Sequence, residues 1–130
     1  MTPEQLMEQA KQAMKNAYAP YSGFRVGAAL LTADGKVYTG CNIENTAYSP
    51  TICAERTAFA KAVSEGCREF AAIAVCGGKE GVITAMCTPC GVCRQVMAEF
   101  CKGDFSVYLT DGKILEKRAL KELLPEGFKL

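Results

Sequence analysis

The chain has 130 residues, 49% of them hydrophobic and 22% charged, and its 15 basic and 14 acidic side chains leave a net charge of +1. That length suits one domain with a full core, and the balanced charge excludes a large electrostatic footprint for duplex nucleic acid or an anionic membrane. Eight cysteines and no histidine are the unusual counts, and the second excludes a Ser-His-Asp triad, a Cys-His hydrolase, an H-E-x-x-H metalloprotease and any imidazole base.

Thr2-Pro3-Glu4, followed by Leu6, Met7, Ala10, Ala13, Met14 and Ala17, supplies an N-cap, a proline at the first helical position and apolar residues at helical spacing. A first helix of about 15 residues is predicted. The stretch Met1 to Ala19 is too polar for a secretory leader, and no apolar run nears the ~20 residues of a membrane span. We therefore expect a cytoplasmic protein with its thiols reduced or bound to metal. After the break at Ala19-Pro20-Tyr21-Ser22-Gly23, the apolar run Phe24 to Thr32 predicts a buried strand. Asp34-Gly35 marks a hairpin turn, and Lys36 to Cys41 should return antiparallel.

Residues 42 to 52 are polar and turn-rich and predict a loop. Cys53 opens a second helix that Gly66 stops, and Phe70 to Cys76 predicts a central strand. Gly77 to Met86 is expected as a connection, Pro89 to Cys101 as a third helix, and Ser106 to Thr110 as a fourth strand. Asp111-Gly112 signals a second hairpin leading into Ile114-Leu115, and a last helix is predicted over about Glu116 to Leu124. The order α-β-β-α-β-α-β-β-α implies a single α/β domain over residues 1–130: a three-layer αβα sandwich around a mixed sheet of about five strands.

Cys53, Cys90 and Cys93 carry the chemistry. Each lies in or beside the first turn of a predicted helix, where unpaired N–H groups and the helix dipole favour thiolate. The x2 spacing of Cys90 and Cys93 lets two sulfurs grip one ion, and three thiolates leave a tetrahedral zinc one open position for water. Glu55, two residues after Cys53, points roughly 200° away on a helix, so it is expected to reach that water instead of the metal. Arg56 is the nearest positive charge to offset the anionic site. Cys87 opens two alternatives, as the start of a C-x2-C-x2-C iron–sulfur run that would need a cysteine where Met97 stands, or as a fourth ligand of a purely structural zinc. Cys41, Cys67, Cys76 and Cys101 are expected as packing residues.

C-A-E at 53–55 and P-C-G-V-C at 89–93, together with PYSGFRVGAAL at 20–30, GCNIENTAYS at 40–49, CAERTAFAKAVSEG at 53–66, PCGVCRQVMAEF at 89–100 and LLPEGF at 123–128, resemble the small homotetrameric zinc-dependent cytidine deaminases over nearly the whole chain. The resemblance implies one zinc per chain on Cys53, Cys90 and Cys93, Glu55 as proton shuttle and Arg56 hydrogen-bonding the ligand sulfurs. It also implies Asn42 and Glu44 on the ribose, Phe24 against the pyrimidine, and the main chain around Ala54 reading the base. Tyr48 and Phe128 would approach the site from a neighbouring subunit. Thr46 stands where many relatives carry Ala, and Ser49-Pro50-Thr51 is a less familiar lead into the zinc helix. The implied activity is hydrolytic deamination of cytidine and deoxycytidine in pyrimidine salvage, with no nucleic acid or membrane partner. A deaminase for another aminopyrimidine compound is the nearest rival.

Overall fold

A computed structural model describes residues 1–130. Its elements are α1 (Pro3–Met14), β1 (Phe24–Thr32), β2 (Val37–Cys41), α2 (Ala54–Ser64), β3 (Phe70–Lys79), α3 (Gly91–Phe100), β4 (Ser106–Thr110), β5 (Leu115–Ala119) and α4 (Leu120–Leu123). Five strands form one mixed sheet in the order β2-β1-β3-β4-β5. Only β3 and β4 run parallel, because α3 carries the chain back across the sheet between them.

The period-2 alternation of the central strands divides the core into two layers. Ala28 and Leu30 of β1, Ile73 and Val75 of β3, and Val107 and Leu109 of β4 pack with Ala54, Ala58 and Phe59 of α2 and Met97 of α3. Their neighbours Ala29, Ala72, Ala74 and Cys76 point the other way, onto Leu6, Met7, Ala10 and Met14 of α1. Helices therefore cover both faces, as the apolar central strands require. Thr2 starts α1 with a capping box: its hydroxyl accepts from Gln5 N at 3.1 Å, and Gln5 Oε1 accepts from Thr2 N at 2.8 Å.

Two glycines set how closely the helices approach. A Cβ on Gly40 would collide with the Ala54 carbonyl and stand 2.6 Å from Ala58 N, so α2 lies directly on β2. On the other face, a Cβ on Gly27 would strike the Ala10 carbonyl and stand 2.6 Å from Met14 N. Thr57 fastens α2 further, its hydroxyl donating to Cys41 O at 3.0 Å.

The predicted last helix over Glu116 to Leu124 is wrong for most of its length. Residues Leu115–Ala119 are the edge strand β5, antiparallel to β4 with Tyr108 opposite Lys117, and only Leu120–Leu123 turn helical. The segment is made of good helix formers, but pairing with β4 overrides that preference. β3 continues past Cys76 to Lys79, pairing Gly77, Gly78 and Lys79 with Val26, Arg25 and Phe24, in residues expected to be connection. α1 is shorter than expected, ending at Met14. The 42–52 loop has a tied neck, where Ile43 and Ile52 exchange two backbone hydrogen bonds of 3.0 Å.

Candidate active site

Cys53 and Cys90 are the N-caps of α2 and α3, and neither side chain makes a cap hydrogen bond to its own helix, so both sulfurs remain available to a metal. Cys93 lies in the first turn of α3, buried, while Cys53 is half-buried and Cys90 exposed. The two helix starts meet so that Cys53 Sγ is 3.7 Å from Cys90 Sγ, which is 3.6 Å from Cys93 Sγ, with all three sulfurs within 4.8 Å of one another. A zinc bound by thiolates at about 2.3 Å would space its sulfurs about 3.8 Å apart around a tetrahedron. The trio fits that ion and presents its exposed member, Cys90, to solvent. Cys87 is not part of the cluster; it packs against the larger core layer, and burial pushes its thiol up to about 12. That placement removes both the fourth-ligand and the iron–sulfur alternatives.

Arg56 Nη2 donates to Cys53 Sγ at 3.4 Å, and its Nε is buried without a partner. Contact with Cys93, Arg56 and Cys90 lowers the Cys53 thiol to about 5, and the Cys53 thiolate together with burial drives Cys93 upward. The adjacent guanidinium thus favours the thiolate form of Cys53. With zinc, three thiolates leave net −1, and a single adjacent arginine brings the cluster to neutrality. Glu55 is 4% exposed in the first turn of α2, and burial, reinforced by the Cys53 charge, raises its carboxyl to about 7.

The polar pair lies on the approach from β1. Asn42 uses its amide on the strand itself: Oδ1 accepts from Val26 N at 2.8 Å, and Nδ2 donates to Phe24 O at 2.8 Å. One amide hydrogen and one lone pair remain free. Glu44 Oε1 accepts from Tyr21 N at 2.9 Å and Ser22 N at 3.1 Å, and Oε2 accepts from the Ser22 hydroxyl. These bonds, led by the Ser22 hydroxyl, hold the Glu44 carboxyl below its usual range. Glu44 and Tyr48 line a shallow hollow of about 350 Å³ with Tyr21, Ser22, Asn45 and Thr51. Thr46, Ser49 and Pro50 are exposed on the same loop.

Phe24 is 41% exposed at the start of β1, and Tyr48 is 88% exposed at the tip of the loop. The Ala54 side chain is buried in the core, so only its main chain remains for recognition. Phe128 is exposed and lines a different hollow, with Lys121 and Leu124; within one chain it is not brought to the Glu44 hollow. Sequence reasoning missed Ser22, which gathers Glu44 from 22 residues away, and Arg94, whose Nε and Nη1 donate to Pro89 O and Leu123 O, both at 2.6 Å. The Ser22-Gly23 break just before β1 was the available signal for the first, and nothing in the spacing pointed to the second.

Comparison with known proteins agrees with this geometry. The zinc-binding region of cytidine and deoxycytidylate deaminases matches residues 1–109. A cytidine deaminase of Sporosarcina psychrophila is 55% identical over 129 residues, covering 98% of this chain and 92% of its own, and one from Halalkalibacterium halodurans is 51% identical over 130 residues, covering 98% and 95%. The crystal structure of cytidine deaminase from Burkholderia pseudomallei superposes with a TM-score of 0.90 at 49% identity, covering 98% of this chain and 100% of that one. Since the match spans both helices that bring the three sulfurs together, the chain belongs to the zinc-dependent cytidine deaminase family.

Proposed function

We propose that residues 1–130 act as one domain that hydrolyses the C4–amine bond of cytidine and deoxycytidine, consuming water and yielding uridine or deoxyuridine and ammonia. The observation that carries this reading is the buried Glu55 carboxyl on the turn that follows Cys53, beside three sulfurs at tetrahedral spacing. Zinc held by Cys53, Cys90 and Cys93 would supply Lewis acidity that lowers the pKa of water, so that hydroxide is available as a nucleophile at neutral pH. Glu55 takes the proton released by that water and delivers it to ring N3, which makes C4 more electrophilic. Hydroxide adds to C4, and as the C4–N bond breaks the same carboxyl passes the proton of the new C4 hydroxyl to the departing amine, so that ammonia leaves and a C4 carbonyl remains. Burial suits Glu55 to alternate between the two states.

Arg56 offsets the charge of the thiolates. Phe24 offers a ring face to the pyrimidine, the Ala54 main chain borders the base, and Asn42 and Glu44 take sugar hydroxyls with the acceptor and donor capacity they retain. The exposed Tyr18, Tyr21, Ile43, Tyr48 and Phe128 support assembly as a homotetramer in which Tyr48 and Phe128 reach a neighbouring site. Eight free thiols fit a reducing cytoplasm and a place in pyrimidine salvage, and no helix is long and apolar enough to cross a membrane.

Ammonia release from cytidine and deoxycytidine, with none from cytosine or adenosine, is the expected result. Release from cytosine alone would replace the nucleoside reading. Glu55→Gln should keep its fold and its zinc, measured by metal analysis, while kcat falls on the order of 10²-fold to 10⁴-fold. Undiminished turnover in that variant would remove Glu55 from the mechanism.

A further inference from the structure

Between the carboxylate proposed for the sugar and the ring proposed for the base lies Ser22, which the proposed mechanism does not use. Ser22 Oγ donates to Glu44 Oε2 and accepts from Phe24 N at 2.9 Å, and its own amide donates to Glu44 Oε1 at 3.1 Å. Lys79 Nζ anchors the same residue by donating to Ser22 O at 2.5 Å. The other backbone group of Phe24, its carbonyl, is held by Asn42 Nδ2 at 2.8 Å. The peptide groups of the aromatic residue are thus clamped by side chains on both sides, and one of those clamps also orients Glu44.

We propose that Ser22 is a positioning residue for nucleoside specificity: its hydroxyl aims Glu44 at the sugar and registers that carboxylate against Phe24. The proposal rests on the reading of Glu44 as a sugar ligand. A carboxylate offers about four acceptor positions, and the two amides and the hydroxyl occupy three of them, so one remains for a ligand. Ser22 therefore selects which lone pair faces outward. Without its hydroxyl, Oε2 regains freedom, and the ligand must order the carboxylate when it binds. The hydroxyl is also polarised from both sides, donating to an anion while accepting from an amide, an arrangement in which each bond strengthens the other.

The test compares cytidine with 2′,3′-dideoxycytidine, which keeps the base and the 5′-hydroxyl but lacks the 2′ and 3′ hydroxyls assigned to Glu44, on the zinc-loaded enzyme. Ser22→Ala should raise KM for cytidine on the order of tenfold with kcat little changed, as loss of one charge-assisted hydrogen bond would. KM for the dideoxy analogue should not move. Ser22→Thr, which restores a hydroxyl, should recover cytidine binding. Glu44→Ala should produce the same selective loss, and Ser22→Ala added to it should cost nothing more.

Equal effects of Ser22→Ala on both substrates would overturn the proposal, because the residue would then act through the ring or the fold. A selective effect of Glu44→Ala with none from Ser22→Ala would also overturn it and leave the sugar role of Glu44 standing. Unchanged cytidine binding in Glu44→Ala would overturn the underlying reading instead.

Discussion

Arg94 shows how much of a metal centre is made by residues that never touch the ion. Its guanidinium joins Pro89 O, immediately before Cys90, to Leu123 O at the end of α4, while the adjacent Gln95 donates from Nε2 to Phe128 O at 3.1 Å. Helix α3, which supplies two of the sulfurs, is thereby tied to the C-terminal segment. Outer partners of metal ligands commonly contribute 10-fold to 100-fold in metal affinity. Arg94→Ala should accordingly release zinc to a chromophoric chelator at least about tenfold faster. Arg94→Lys should not restore retention, since one ammonium cannot span two carbonyls in fixed directions as a guanidinium does. An Arg94→Ala release rate equal to the wild type would show the clamp to be irrelevant to the metal. The cysteine trio was legible in the sequence because its spacing is itself the chemistry. Arg94 and Ser22 were not, because the bonds that give them their place, to Leu123 and to Glu44, span 29 and 22 residues and are reached only through the fold.

At the scale of elements, the mixed sheet is a platform with a helix pressed on each face through a missing side chain. Gly40→Ala would drive a methyl group into the Ala54 carbonyl, and Gly27→Ala would do the same to Ala10 on the opposite face. Each should destabilise by about 1–3 kcal/mol through overpacking, measured by denaturant unfolding. Their effects on the metal should differ. Gly40→Ala displaces α2, which begins at Cys53, and should lower zinc occupancy, whereas Gly27→Ala displaces only α1 and should leave occupancy intact. Equal zinc contents in the two variants would contradict that coupling.

Most elements were legible from apolar period and turn residues, and the exceptions are instructive. Residues 116–119 of β5 were misread as helix because they favour one, yet Glu116 and Arg118 form a 2.6 Å ion pair as second neighbours, which a strand allows and a helix does not. The last residues of β3 were missed because Gly77 and Gly78 look like a linker. The second of them is required where a Cβ would run into the Val82 carbonyl.

For the whole molecule, the three cysteines proposed to hold zinc join the starts of α2 and α3, so the metal should stabilise the folded state as well as serve turnover. A ligand at 100 times its dissociation constant contributes about 2.7 kcal/mol. For a chain of this size, removing it with a strong chelator should lower Tm by roughly 10 °C. Calorimetry of the chelated and zinc-restored protein checks this, and an unchanged Tm would mean that the two helix starts hold together without the ion.

Cys53 and Cys90 are 37 residues apart along the chain, and the intervening segment contains all of β3, which is bonded to β1 on one side and β4 on the other. An ion gripping both cysteines closes a loop around the middle strand of the sheet. The entropic cost of closing a loop grows only logarithmically with its length, so a clip at this position removes much of the search that would otherwise bring the two flanks of β3 together. Such long-range pairings are the slow part of assembling a sheet. An ion held by Cys53, Cys90 and Cys93 would thus act as a reversible cross-link on the chain that folds around it, in addition to the catalytic role proposed for it.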